Sequence, residues 1–169
     1  INIRTGLVDH YIAAGVEYVS NGAFAPVLYQ DSPDPWYMEK NCFPQKLGVF
    51  ALTEARRAHR YSDGAEILVP AVRIVENGAV RMLVEAEFVW GRSRLVQTYC
   101  LPKAGTSFEI MQDIFWNEAD TMLKLEIPAA FKGDYLGQGM FGSGSLPQDG
   151  TECVSQKWCG LFGEKHALT

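Results

Sequence analysis

Between Ala79 and Trp90 (AVRMLVEAEFVW) apolar and polar residues alternate, and no other feature limits the fold so tightly. Val80, Met82, Val84, Ala86, Phe88 and Trp90 fall on one side of an extended chain, with Arg81, Glu85 and Glu87 on the other. Successive side chains of a strand point to opposite faces, so this spacing predicts a half-buried β-strand with its charges turned to water. Gly91 ends the run, and Ser93 to Leu101 resumes it with Leu95, Val96, Tyr99 and Leu101. Thr106 to Trp116 then aligns Phe108, Ile110, Ile114 and Trp116, and Thr121 to Ile127 sets Leu123, Leu125 and Ile127 against Lys124 and Glu126. Trp90, Trp116, Phe108, Leu123 and Leu125 are the expected core residues, with Trp116 as an anchor.

Turn chemistry separates these runs. Asn77-Gly78, Asp63-Gly64 and Asp149-Gly150 pair residue types that tolerate positive φ, and short polar turns between long strands predict an antiparallel meander. Helical spacing is confined to Thr53–Tyr61, which offers one short turn of helix. The expected fold is all-β, an antiparallel two-sheet sandwich with interleaved apolar faces, forming a single domain over residues 1–169. A chain of this length can bury a substantial core. Two stretches depart from the alternation. Asp31 to Pro44 (DSPDPWYMEKNCFP) reads as a long ordered loop, and Gly133 to Gly150, with Gly137, Gly139, Gly142 and Gly144, reads as a loop crossing an edge or the rim of a site.

Composition narrows the function classes. The net charge is −5 and the fifteen Lys and Arg are scattered, so the concentrated basic stripe of a nucleic-acid surface is missing and no nucleic-acid partner is expected. No apolar run approaches the roughly 18 residues that span a bilayer, so no membrane partner is expected. Cys42, Cys100, Cys153 and Cys159 form no CxxC pair, and His10, His59 and His166 lie far apart, which is not zinc-ligand spacing. They read as reduced, mostly buried thiols of a cytoplasmic protein. The first residue is Ile1, and the chain is expected to be a piece of a longer multidomain protein.

Few residues carry a chemical signal. Gly137-Gln138-Gly139-Met140-Phe141-Gly142 matches GxGxxG in letters, but the Ser143-Gly144-Ser145-Leu146-Pro147 that follows cannot open the helix a dinucleotide site requires. Ser143 stands in no GxSxG elbow, and no histidine is placed as its base. Asp31 and Asp34 bracket Pro33 beside Trp36. Such a group can bind sugar hydroxyls with the indole against an apolar sugar face, or the two aspartates can cap turns made by Pro33 and Pro35. Glu118 and Asp120, between two predicted strands, read as hairpin residues.

The same residues resemble the C-terminal β-region of glycoside hydrolase family 38, the α-mannosidases. Leu28-Tyr29-Gln30-Asp31-Ser32-Pro33-Asp34-Pro35-Trp36 is similar to that family's Asp-x-x-Asp-x-Trp loop. Val75-Glu76-Asn77-Gly78 with Arg81 resembles its E-x-G-x-x-R strand pair, and Ser93 to Tyr99 the strand that follows. Asp113-Ile114-Phe115-Trp116-Asn117-Glu118 running into Leu123-Lys124-Leu125 is the most specific match, and Asp149-Gly150-Thr151-Glu152 with Lys157-Trp158 is the last. The resemblance implies a super-sandwich like that of galactose mutarotase and a parent enzyme cleaving α-mannosidic bonds with retention. It also implies that zinc and the aspartate nucleophile belong to a separate α/β domain, so this chain carries no catalytic residue and no cofactor of its own. Its partners are then the catalytic domain of the same chain and the α-mannoside substrate. Asp31, Asp34 and Trp36 are the candidates for the substrate rim. An independent carbohydrate-binding module is the alternative.

Overall fold

In the computed structural model, which describes residues 1–34, 36 and 42–169, the chain is all-β and its strand pairs are antiparallel. No helix occurs among the described residues. The first four strands are β1 (Tyr11–Ala13), β2 (Val16–Val19), β3 (Ala25–Gln30) and β4 (Lys46–Val49). A middle group follows: β5 (Ala51–Leu52), β6 (Arg56–His59), β7 (Glu66–Val69), β8 (Val72–Asn77), β9 (Arg81–Trp90), β10 (Ser93–Pro102) and β11 (Glu109–Phe115). The last are β12 (Thr121–Glu126), β13 (Asp134–Gln138), β14 (Ser143–Ser145), β15 (Cys159–Phe162) and β16 (Ala167–Leu168). The chain divides into two compact units, Ile1–Val8 with Val49–Glu118 and Asp9–Gly48 with Ala119–Thr169.

The first unit is built on the β9–β10 hairpin, paired without a register break from Trp90 opposite Ser93 to Arg81 opposite Pro102. β11 adds to β10, and β5 and β8 both add to β9. The alternation read from Ala79–Trp90 holds along the strand, since Val84, Ala86 and Phe88 are buried beside Leu95 and Tyr99 on the paired strand. A polar chain crosses this core. Gln112 Nε2 donates to Gln97 Oε1 at 2.6 Å, Gln97 Nε2 to the Tyr99 hydroxyl at 2.5 Å, and that hydroxyl to the Gly6 carbonyl at 2.8 Å. It ties the N-terminal segment to the sheet and leaves these buried polar groups satisfied.

Glu87 departs from the sequence reading. Expected in water, it is only 7% exposed, because Arg94 (2.9 Å), Arg73 (3.6 Å) and Arg56 (4.0 Å) surround its carboxylate. Paired guanidinium groups let a carboxylate leave water at a position that the alternation alone assigns to the surface. Thr53–Tyr61 forms no helical turn, since Arg56–His59 is β6, and its hairpin with β7 turns at Asp63-Gly64, where Gly64 has φ +69°.

In the second unit β3 lies between β12 and β4, and β13 and β15 form the middle of a second sheet between β14 and β16. Val19, Ala23, Val27 and Leu28 are fully buried in this unit. Part of the stretch expected as a loop, Gly133–Gly150, is the β13–β14 hairpin, closed by Gly139 N–H donating to the Gly142 carbonyl at 2.7 Å. Gly137 sits where a Cβ would come within 2.5 Å of Ser155 Oγ, so a packed strand, and no phosphate loop, accounts for this glycine. Asp31–Asp34, Trp36 and Cys42–Pro44 form no strand, as expected for the Asp31–Pro44 loop; Pro35 and residues 37–41 lie outside the described residues.

The expected core list is corrected. Trp116 is 36% exposed and Leu125 37% exposed, while Trp90, Phe108 and Leu123 are half-buried. Trp116 packs against Phe50 with centroids 6.5 Å apart, but it lies just past the end of β11, an edge strand of its sheet. Cys153 and Cys159 are exposed, Cys42 and Cys100 half-buried, and all four are free, which corrects the expectation of mostly buried thiols. Phe88→Ala is therefore expected to cost about 3–5 kcal/mol. Trp116→Ala is expected to cost clearly less, as read from urea unfolding curves; equal losses would show that the edge position does not relieve Trp116 of core duty.

Candidate functional site

The most developed polar constellation lies in the second unit, on one face of the β3–β12 pair. Val27 lies opposite Lys124, Tyr29 opposite Met122 and Ala25 opposite Glu126, so alternation turns Tyr29, Lys124 and Glu126 to the same side. Lys124 pairs with Glu152 from the loop after the Asp149-Gly150 turn, and both side chains keep less than a third of their exposure. The Lys124 ammonium also stands 4.7 Å from the Phe43 ring centroid and 5.9 Å from that of Tyr29, within cation–π range. The Tyr29 hydroxyl donates to Glu126 Oε1, and Lys46 Nζ reaches the same carboxylate at 3.0 and 3.3 Å. Tyr29, Cys42, Phe43, Pro44, Lys124, Asp149, Gly150 and Glu152 line a cavity of about 290 Å³.

These contacts shift the titrating groups. The Tyr29 phenol is pushed up to about 12, first because it donates to the Glu126 carboxylate, then by burial and by the charges of Glu126 and Glu152. Burial raises the Glu126 carboxyl, but hydrogen bonds from Tyr29 and Lys46 and the Lys46 charge outweigh it, leaving its pKa below the ordinary value. The Asp149 carboxylate is also held low, because it accepts the Thr151 N–H at 2.9 Å and so fixes the Asp149-Gly150 turn, where Gly150 has φ +87°.

The residues singled out from sequence are placed differently. Asp31 accepts the Ser32 N–H at 2.8 Å through Oδ1, and its own N–H donates to the Asp120 carbonyl at 2.9 Å. Asp34 Oδ1 accepts the Trp36 N–H at 2.9 Å, the geometry of a turn-capping aspartate. The Trp36 side chain is almost fully in solvent, at 95% exposure. Each aspartate therefore has a backbone partner within the loop, and the indole stands free beside them. Glu118 accepts the Arg92 N–H at 3.0 Å and the Ser93 hydroxyl at 2.9 Å and so clamps the β9–β10 turn. The hairpin expected around Glu118 and Asp120 does not form, since β11 pairs with β10 and β12 with β3. Gly91 in that turn has φ +52°, and a Cβ there would lie 2.8 Å from Glu118 Oε1. Asp120 takes φ +51°, and its carbonyl receives both Asp31 N–H and Gln30 Nε2.

Lys124, Glu126, Phe43 and Glu152 were not legible as a site. Two charges two residues apart on one strand read as a solvated face, and Glu152 lies 28 residues from Lys124. The available signal was that Tyr29, Lys124 and Glu152 fall in three of the segments quoted for the family resemblance. Among the described residues, no group of three or more His, Cys, Asp or Glu is placed to hold a metal ion. No protein-family model matches this chain, and no curated protein or solved structure matches it either.

The shifted phenols are directly measurable. Burial raises Tyr99 to about 12, although its hydrogen bond with Gln97 opposes this. In an ultraviolet titration Tyr29 and Tyr99 are expected to ionise near 12, and Tyr29→Phe and Tyr99→Phe should each remove one such step. Both folded pKa values lie above the ordinary 10.0, so the linked stability is complete below pH 10 and is lost as pH rises through about 12. Glu126 has the opposite sign: its contribution is present above the ordinary 4.5 and disappears as pH falls below it. Its side chain is 39% exposed, so solvent screening holds the effect to about 1 kcal/mol or less. Glu126→Gln should flatten that part of an acid-unfolding profile, and an unchanged profile would remove Glu126 from the account.

Proposed function

We propose that this chain is a non-catalytic β-domain of an α-mannosidase-type glycoside hydrolase, supporting a separate catalytic domain and contributing loops to the rim of its cleft. One observation carries the reading beyond sequence resemblance: charged and polar residues of the matching segments engage local partners or one another. Glu76 and Arg81 form a two-pronged ion pair, at 3.0–3.2 Å, across the β8–β9 turn. Glu118 clamps the turn that opens the Ser93–Tyr99 segment. Lys124 of the fourth segment pairs with Glu152 of the fifth beside Tyr29 of the first. Ties of this kind fit residues that hold a scaffold in place, which is the role proposed here.

Under this reading the chemistry is performed elsewhere. Retaining hydrolysis needs a carboxylate nucleophile and a second carboxyl about 5–5.5 Å away. The resemblance assigns the nucleophile, with the zinc, to an α/β domain of the parent enzyme. What this chain supplies is position: backbone-anchored Asp31 and Asp34 with an exposed Trp36 on a loop tied to Asp120. The coding sequence flanking the chain is expected to specify that α/β domain.

The isolated chain is expected to show no hydrolysis of aryl α-mannosides. Turnover that survives repurification and vanishes on mutating a residue of this chain would overturn the proposal. In the full-length enzyme, Asp31→Asn and Asp34→Asn are expected to lower kcat/KM while leaving the Tm nearly unchanged, because asparagine keeps the oxygen that accepts the backbone N–H. A lowered Tm with intact kinetics would make both aspartates turn caps alone.

A further inference from the structure

The cavity of about 290 Å³ in the second unit has walls of two kinds. Phe43, Pro44 and the Tyr29 ring form an apolar side, and Lys124, Asp149 and Glu152 a charged one. That mixture selects among ligand classes. A phosphate or other anion would meet two carboxylates against one ammonium. A purely apolar ligand would strip water from all three charges without replacing its hydrogen bonds. A metal ion would face the Lys124 ammonium and too few ligands among the described residues.

A neutral polyhydroxylated ring meets none of these penalties. Each sugar hydroxyl both donates and accepts, so a carboxylate beside an ammonium satisfies it in both roles. An ion pair such as Lys124–Glu152 leaves further ammonium protons and a second carboxylate oxygen to do so. Phe43 is only 7% exposed and carries the Lys124 ammonium on its ring, so the C–H face of the sugar lies against Pro44 and the Tyr29 ring instead. The volume is at the bottom of the roughly 300–1,000 Å³ range of small-molecule pockets, which suits one ring and no longer chain. The site is also held in advance: Asp149 is fixed by the Thr151 N–H, and Lys124 by Glu152 and the Phe43 ring.

We propose that this cavity is a subsite for a single hexopyranoside ring, its hydroxyls read by Asp149, Glu152 and Lys124 and its apolar face carried by Pro44 and the Tyr29 ring. The class of ligand follows from the lining; the choice of an α-mannoside as first probe rests on the glycosidase reading above.

The test is a ligand-observed NMR titration of the 169-residue chain with methyl α-mannoside and, separately, methyl α-glucoside. Binding with a Kd on the order of 1 mM is expected, weakened about tenfold by Glu152→Gln and by Asp149→Asn. Both changes are mild: glutamine keeps an oxygen facing Lys124, and asparagine keeps the acceptor for Thr151, so near-ultraviolet circular dichroism should stay unchanged. Failure of both sugars to bind, or variants that bind as tightly as the parent chain, would overturn the subsite. If the full-length protein is an active α-mannosidase and the chain binds neither sugar, the subsite alone falls. Binding of the glucoside without the mannoside upholds the subsite and counts against the α-mannosidase reading.

Discussion

Charge taken out of water has to meet opposite charge, and this requirement shapes both compact units. In the first, Glu87 projects from the face of β9 opposite the apolar core and is nonetheless buried, with Arg73, Arg94 and Arg56 around it and Arg73 also 2.6 Å from Glu85. In the second, Lys124 projects from β12 and is partly covered, neutralised by Glu152 and set over the Phe43 ring. Removing one member of such a pair strands the other, which costs more than the pair itself contributes. Position, more than net stability, is what these pairs supply.

The pairs also join parts of the chain that local folding would leave apart. Lys124–Glu152 closes a gap of 28 residues and brings the Asp149-Gly150 turn onto the β3–β12 pair. Glu118 folds back across 25 residues to hold the hydroxyl of Ser93. The Tyr99 hydroxyl spans 93 residues to reach Gly6. A loop held this way reaches a ligand already ordered, and less conformational entropy is lost when contact is made. The cavity beside Phe43 and the loop carrying Asp31, Asp34 and Trp36 are the two places where such ordering would serve the carbohydrate contacts proposed above.

What was legible from the residues depended on the range of the cause. Asp63-Gly64 and Asp149-Gly150 turn where they were expected to, with positive φ at both glycines, and Asn77-Gly78 lies in the β8–β9 turn. Val84, Ala86 and Phe88 are buried on the expected face of the Arg81–Trp90 strand. Thr53–Tyr61 offers one short helical turn by its spacing, yet Arg56–His59 within it is extended, because it pairs with Glu66–Val69. At the candidate site, Asp31, Asp34 and Trp36 were visible because carboxylates and an indole gather within one loop. Phe43, Lys124 and Glu152 were not, since each is ordinary in its own segment.

The sequence by itself determined the all-β class, the main strand faces and the turns, because alternation and positive-φ preference are properties of neighbouring residues. Only the tertiary structure decided how deeply each face is buried. Trp116 and Leu125 are partly exposed although their spacing marks them as core, because depth depends on whether a strand is central or at an edge. Glu87 and Lys124 leave water although their spacing marks them as surface, because partners from other strands and loops arrive to pair with them. Those partners are set by long-range pairing, which no local pattern encodes.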